Sequence, residues 1–343
     1  IYLGTGSVTS SNGNVILSGY TSSTNTGHYG IYSNAINVSA NNGSVTFQGS
    51  KLDTVSTLAN AVSNLSGATP APLFAIADAG NPASAATNGV YWTGNITANT
   101  TSGQINIYAK APIISGVMTA YGLLLGTPNQ SYTLSNSNAV IKVLAASIGS
   151  GSLNFKTASN LEIGSLSGVD GFTGSGLTIT STATLSQTKP ISVSTMTLAG
   201  TNGIFDLSLA NTLSTSVALN SGTLKVSDAA ALGTASAPIT MGANSILQSN
   251  LSTLALSNPI VMSGAATINA PPGHTLTLSG IISSSGNLTI NSPTTNTGAV
   301  VFTGANTYTG TTTISAGTLQ IGSGSTTGAL GTGAVTNNGA LIF

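Results

Sequence analysis

Gly304-Ala-Asn306-Thr-Tyr308-Thr-Gly310-Thr-Thr-Thr-Ile314-Ser-Ala-Gly317-Thr-Leu319-Gln-Ile321-Gly322 is the stretch that decides the fold, with Ala329-Leu330-Gly331-Thr-Gly333-Ala-Val335 and Asn337-Asn-Gly339-Ala-Leu341-Ile-Phe343 after it. Apolar and polar residues alternate over short runs, the period of a half-buried strand. Glycines cut every run, so none can bury a face by itself. Each must stack on a copy of itself. A copy lies upstream: Ser221-Gly222-Thr-Leu224-Lys-Val226, then Ala231-Leu232-Gly233-Thr-Ala235. The offset from Gly222 to Gly317 is 317 − 222 = 95 and that from Leu232 to Leu330 is 330 − 232 = 98, so the two cassettes keep nearly one internal spacing. Self-similarity of this kind predicts a solenoid.

Asn306-Thr-Tyr308-Thr-Gly310, Ala316-Gly317-Thr-Leu319, Ala329-Leu330-Gly331-Thr-Gly333-Ala-Val335 and Asn338-Gly339-Ala-Leu341 together resemble the autotransporter-associated β-strand repeat. The resemblance covers residues 301–343 and, in part, 219–250. It departs from the usual pattern at Thr311, where a second glycine commonly follows Gly310. It implies a parallel β-helix, export across a bacterial outer membrane and an adhesive or structural role.

Composition points the same way. Only 3% of residues are charged, far below the quarter found in ordinary domains, and 40% are hydrophobic, too many for a Gly/Ser linker. Such a chain is a β structure with a Ser/Thr/Asn surface. The net charge is zero and the six lysines are scattered, which argues against nucleic acid as a partner. No apolar run reaches the length of a membrane helix. There is no cysteine, hence no disulfide or thiolate metal site. The chain starts at Ile1 without a signal-like segment and reads as an internal or processed piece of a longer secreted protein.

The N-terminal part repeats another phrase. Asn12-Gly13-Asn-Val15-Ile-Leu17 recurs as Asn42-Gly43-Ser-Val45-Thr-Phe47, at an offset of 42 − 12 = 30. It returns as Ser102-Gly103-Gln-Ile105-Asn-Ile107, at a further 102 − 42 = 60, and again as Ser150-Gly151-Ser-Leu153-Asn-Phe155. The longer step reads as two copies of the shorter one. These units also resemble, more loosely, the coils of filamentous-haemagglutinin-like adhesins. Residues 51–88 break the rhythm: Leu52, Val55, Leu58, Val62 and Leu65 fall at helical spacing between Asp53 and Gly67, which predicts a short helical or irregular insertion.

Chemistry-bearing residues are sparse. Acid–base catalysis needs converging carboxylates. Glu162 and Asp170 are the one pair close in sequence. A coil as long as the spacing 228 − 206 = 22 would also bring Asp206 toward Asp228. Otherwise the acids read as isolated surface or turn groups. His28 and His274 stand apart from any carboxylate, no calcium-type acidic loop occurs, and Asp170-Gly171 reads as a turn. Gly322-Ser-Gly324 begins a Gly-x-Gly-x-x-Gly-like string that this composition produces by chance. The aromatics are more informative. Tyr32 and Tyr91 occupy matching places in the repeat, with Trp92 beside them. Such a ladder either meets sugar rings or a partner subunit, or is an internal stack that only stabilises.

The expected fold is therefore all-β: a right-handed parallel β-helix, or β-solenoid, with an insertion near 51–88. Residues 1–218 carry the Asn/Ser-Gly phrase and residues 219–343 the two cassettes. The expected function is a secreted structural fibre or adhesin stalk at the bacterial cell surface, without a cofactor and not an enzyme. The low charge predicts association with copies of itself, because few charged residues guard the faces and edges. Leu341, Ile342 and Phe343 are candidate end-to-end contacts, and Tyr32, Tyr91 and Trp92 candidate ligand or partner contacts. An outer-membrane translocator outside this segment and host or surface glycans are the further expected partners. The alternative is a carbohydrate-binding or carbohydrate-active β-helix.

Overall fold

The computed structural model describes residues 2–3, 6–21, 31–33, 36–51, 90–109, 113–136, 138–292, 297–324 and 327–343. Among these residues every regular element is a β-strand, and the chain folds as a parallel β-solenoid in two units, Ile1–Ser175 and Gly176–Phe343. The insertion expected at 51–88 lies outside the described residues, apart from Lys51 at the end of a strand.

In the first unit one buried residue per coil sets the register. Val15 stacks on Val45, Val45 on Ile105, Ile105 on Leu123, Leu123 on Leu144, and Leu144 on Ile163. All six are buried, while outward Ile16 is 43% exposed. The long step from Val45 to Ile105 is thus one coil and not two. Ile31–Ser33 pairs directly with Val90–Trp92, so the sequence between these two neighbouring rungs includes 52–89 and the spacing is lengthened accordingly. The fourth occurrence of the phrase also sits elsewhere. Leu153 pairs with Tyr132, in a different column from Val15, Val45 and Ile105. The phrase marks a turn followed by a strand, and such a unit serves any face of a solenoid.

Val140–Ser147 supports two strands of the next coil: Leu144 pairs with Ile163 and Ala146 with Phe172. Between those strands the chain leaves the coil as a small antiparallel hairpin, Ser165–Leu166 against Val169–Asp170. Its turn is Ser167-Gly168, both with positive φ (48° and 83°), the geometry of a two-residue hairpin loop. The hairpin packs Leu166 against Leu124, Val143 and Ala145, with Tyr108, Tyr121 and Val169 around it. Gly122 lies beneath; a Cβ there would fall 2.6 Å from the Leu166 side chain. Burial pushes the phenols of Tyr108 and Tyr132 above their ordinary value.

The second unit is more regular. Leu185, Phe205, Leu224, Leu247, Ile268, Ile290 and Ile314 form one buried column. Its steps range from 224 − 205 = 19 to 314 − 290 = 24. Leu254, Leu276, Val300 and Leu319 form another column, continued by Leu341. Each inward side chain has an apolar neighbour one coil away, and each contributes about 1.5–3 kcal/mol by leaving water.

Strand ladders satisfy the backbone along the faces, and side chains do so at the corners. Asn37 Oδ1 accepts the N–H of Asn95, and Asn95 Oδ1 accepts that of Val117. Asn14, Asn129 and Asn287 do the same for Ser44, Ser150 and Thr311 in the following coils. The abundance of Asn follows from this geometry, since a bend turns the backbone carbonyls away and leaves N–H groups needing an acceptor. Glycine fills the tightest corners: a Cβ on Gly94 would lie 1.6 Å from the Ile36 carbonyl oxygen.

Truncating one inward residue opens a cavity between two coils. Ile268→Ala should cost about 2–5 kcal/mol, whereas its outward neighbour Thr267→Ala should change stability by at most about 0.5 kcal/mol. Chemical denaturation of the two variants measures both, and equal losses would contradict the assigned faces.

Candidate functional site: the asparagine-bridged corner

The decisive stretch of sequence builds one corner, and each of its unusual residues has a mechanical role. Asn306, only 6% exposed, bridges three successive coils. Its Oδ1 accepts the N–H of Ile282 in the coil before, at 2.8 Å, and its Nδ2 donates to the carbonyl of Ala329 in the coil after, also at 2.8 Å. Tyr308 is fully buried, with its hydroxyl 2.7 Å from Thr312 Oγ1, which satisfies the one polar atom of the ring. Thr332 donates its N–H to the Tyr308 carbonyl, so the Ala329-Leu330-Gly331-Thr332 turn sits on the tyrosine. Gly331 has no alternative there. A Cβ would lie 2.2 Å from the Tyr308 carbonyl oxygen and 2.6 Å from its ring. Gly317 adopts φ +82°, a conformation that side chains disfavour. Thr311, the departure from the usual pattern, is exposed and donates its N–H to Asn287 Oδ1 at 3.0 Å.

The same corner occurs once more among the described residues. Asn211 accepts the N–H of Ile191 at 2.8 Å and donates to the carbonyl of Ala231 at 2.9 Å. Leu213 takes the place of Tyr308: a Cβ on Gly233 would lie 2.3 Å from the Leu213 carbonyl oxygen. The offset from Asn211 to Asn306 is 306 − 211 = 95, the same as that of Gly222 and Gly317. The upstream cassette therefore begins at Asn211-Thr-Leu213, ahead of the Ser221 where similarity becomes obvious. Asn-Thr followed by Leu or Tyr, one coil before Ala-Leu-Gly-Thr, is the signal in the sequence. Asn258 makes a one-sided version, donating to the carbonyls of Thr234 and Ala237 in the preceding coil.

Part of this corner lies in a match to a known family: residues 295–321 match the passenger-associated-transport-repeat. The match agrees with the resemblance to the autotransporter passenger repeat. The passenger repeat accounts for 321 − 295 + 1 = 27 of the 343 residues and contains Asn306, Tyr308, Gly310 and Gly317. No curated protein and no solved structure matches the chain. The passenger repeat and the β-solenoid around it fit an autotransporter passenger domain.

The other candidate residues are placed as follows. Tyr32 is the register partner of Tyr91 in the neighbouring coil, Tyr2 is the partner of Tyr32, and Ser33 that of Trp92. The aromatic run stops at Ile113, the partner of Tyr91, and the column continues to Thr133. Leu341 stacks on Leu319 and Ile342 on Gln320, so Ile342 occupies an outward slot and is 48% exposed; Phe343 is 86% exposed. Among the described residues no acid is the register partner of another. Asp206 is opposite Lys225, and Asp228 follows three positions later, where its Oδ1 accepts the N–H of Ala230. Glu162 is opposite Val143, and Asp170 sits in the hairpin with the Ser165 hydroxyl donating to it. Among the described residues no group of three or more His, Asp or Glu could hold a metal ion. His28, Asp53 and Asp78 lie outside those residues.

Removing the bridge tests the corner. Asn306→Ala strands the buried Ile282 N–H and Ala329 carbonyl, at about 1–3 kcal/mol for each unsatisfied group. Asn306→Asp offers both an acceptor and an O–H donor when protonated, so it should fall between Ala and wild type at low pH. Once ionised it keeps only acceptors and buries a charge, so its stability should fall as the pH rises. Urea unfolding reads both, with Thr311→Gly as the near-neutral control; an Asn306→Ala variant as stable as wild type would refute the bridge.

Proposed function

We propose that this chain is a stretch of stalk from a secreted bacterial cell-surface passenger, acting by stiffness, reach and self-association and not by catalysis. The observation that carries this reading is the outer surface of the second unit. Thr267, Thr289, Thr313 and Thr336 are register partners on four successive coils, one outward residue per rung. β-branched polar residues suit an exposed sheet face. An uncharged periodic face of this kind has little to repel an identical one, and only 3% of the whole chain is charged. The scattered placement of the acids agrees with a non-enzymatic role. The passenger repeat supports the reading of surface display and of passage through an outer-membrane translocator.

Glycan binding is a second reading. The register of Tyr2, Tyr32 and Tyr91 favours it, because three aromatic residues follow one another on adjacent rungs. Loss of retention on immobilised glycans in Tyr32→Ala and Tyr91→Ala would support it.

Purified chain should sediment as multimers whose size grows with concentration and appear as filaments or lateral bundles by electron microscopy. Raising the salt from low to about 1 M should leave them assembled, because screening acts on charges that the faces largely lack. A dispersed monomer at high concentration, or dissociation in moderate salt, would defeat the proposal.

A further inference from the structure

One face of the second unit carries the information needed to orient two copies. In successive coils Thr184 pairs with Ile204, Ile204 with Thr223, and Thr223 with Ile246. These outward residues alternate threonine and isoleucine, and all are half-buried. Two positions along the same strands, Asp206 pairs with Lys225, so opposite charges stand on adjacent coils. Asp206 and Lys225 are both half-buried on this outward side.

We propose that this face joins two copies of the chain side by side and antiparallel, the two-fold axis running along the strands midway between the coils of Asp206 and Lys225. The proposal rests on the self-association reading above and names its surface. Turning one copy over about that axis exchanges the two coils. Asp206 of each copy then faces Lys225 of the other, and the contact is made twice, as an isologous interface requires. The same operation sets Ile204 against Thr223 and Thr184 against Ile246, so a bulky residue always meets a smaller one. Parallel copies in the same register would instead set Asp206 on Asp206 and Lys225 on Lys225. Like charges across a contact repel, so charge selects the antiparallel arrangement. The two ion pairs fix orientation while the neutral columns supply the contact, and added salt slows encounter without dissolving the pair.

Charge reversal tests this directly. Asp206→Lys and Lys225→Asp each turn both cross-contacts repulsive, and each variant alone should need at least about a tenfold higher concentration to associate. An equimolar mixture restores both pairs, since one variant carries two acids and the other two lysines on this face. Sedimentation velocity with one variant fluorescently labelled should therefore show a mixed dimer forming near the wild-type concentration. Misfolded variants could not give that rescue, and thermal melts check each alone. Wild type and both single variants associating equally would overturn this face and leave self-association standing. A wild type dispersed at every concentration would overturn both. Folded variants that stay apart when mixed would overturn the antiparallel pairing.

Discussion

A coil of about twenty residues cannot bury its own apolar side chains, and this constraint governs the whole chain. Ile268 is covered because Leu247 lies on one side of it and Ile290 on the other. No coil has a separate core, so stability is approximately a sum over neighbouring coils. The inward positions are correspondingly monotonous, whereas the outward ones are free to vary between Asp, Lys and Gln, as at 206, 225 and 248.

Corners are where such a stack is weakest, because the backbone ladder is interrupted at each bend. The chain answers with side chains that imitate the missing carbonyls. Asn37, Asn95, Asn129 and Asn287 each reach one coil, while Asn211 and Asn306 reach two. The passenger repeat is the most elaborate of these corners. Its Asn306 and Gly310 answer contacts with neighbouring coils, while Gly317 serves its own positive φ and Tyr308 bonds Thr312 four residues on. Residues with so specific a use stand out in a chain otherwise written in Ser, Thr, Ala and Gly.

This division also explains what is legible in the sequence. Alternation and glycine punctuation are local, so the parallel solenoid can be read from runs such as Thr318-Leu319-Gln320-Ile321. The repeat at 301–343 is equally plain, being dense in residues with one stereochemical use. Coil assignment is not legible. The step between Val45 and Ile105 reads as two coils because spacing does not say whether the intervening residues stay on the stack. Leu153 carries the right phrase in another column for the same reason. The hairpin turn is Ser167-Gly168, and its packing on Leu124 and Val143 depends on contacts that no local pattern announces. Nor can Asn211 be linked to Ala231 from sequence, since its partner is fixed only once the coil length is known. Asp206 and Asp228 are spaced like partners in adjacent coils, at 228 − 206 = 22, yet the actual step there is 225 − 206 = 19, and Lys225 takes the opposing place.

In-register parallel stacking is the claim on which everything else rests, and the lack of native cysteine makes it directly measurable. Cysteines at Thr267 and Thr289 would occupy register partners on the outward side of adjacent coils, roughly 4.8 Å apart and within the span a disulfide tolerates. Cysteines at Thr267 and Thr313 would be two coils and about 10 Å apart, beyond it. Mild oxidation of the two double variants should close the first pair nearly completely and leave the second reduced. Failure of the first pair, or equal closure of both, would contradict the stack.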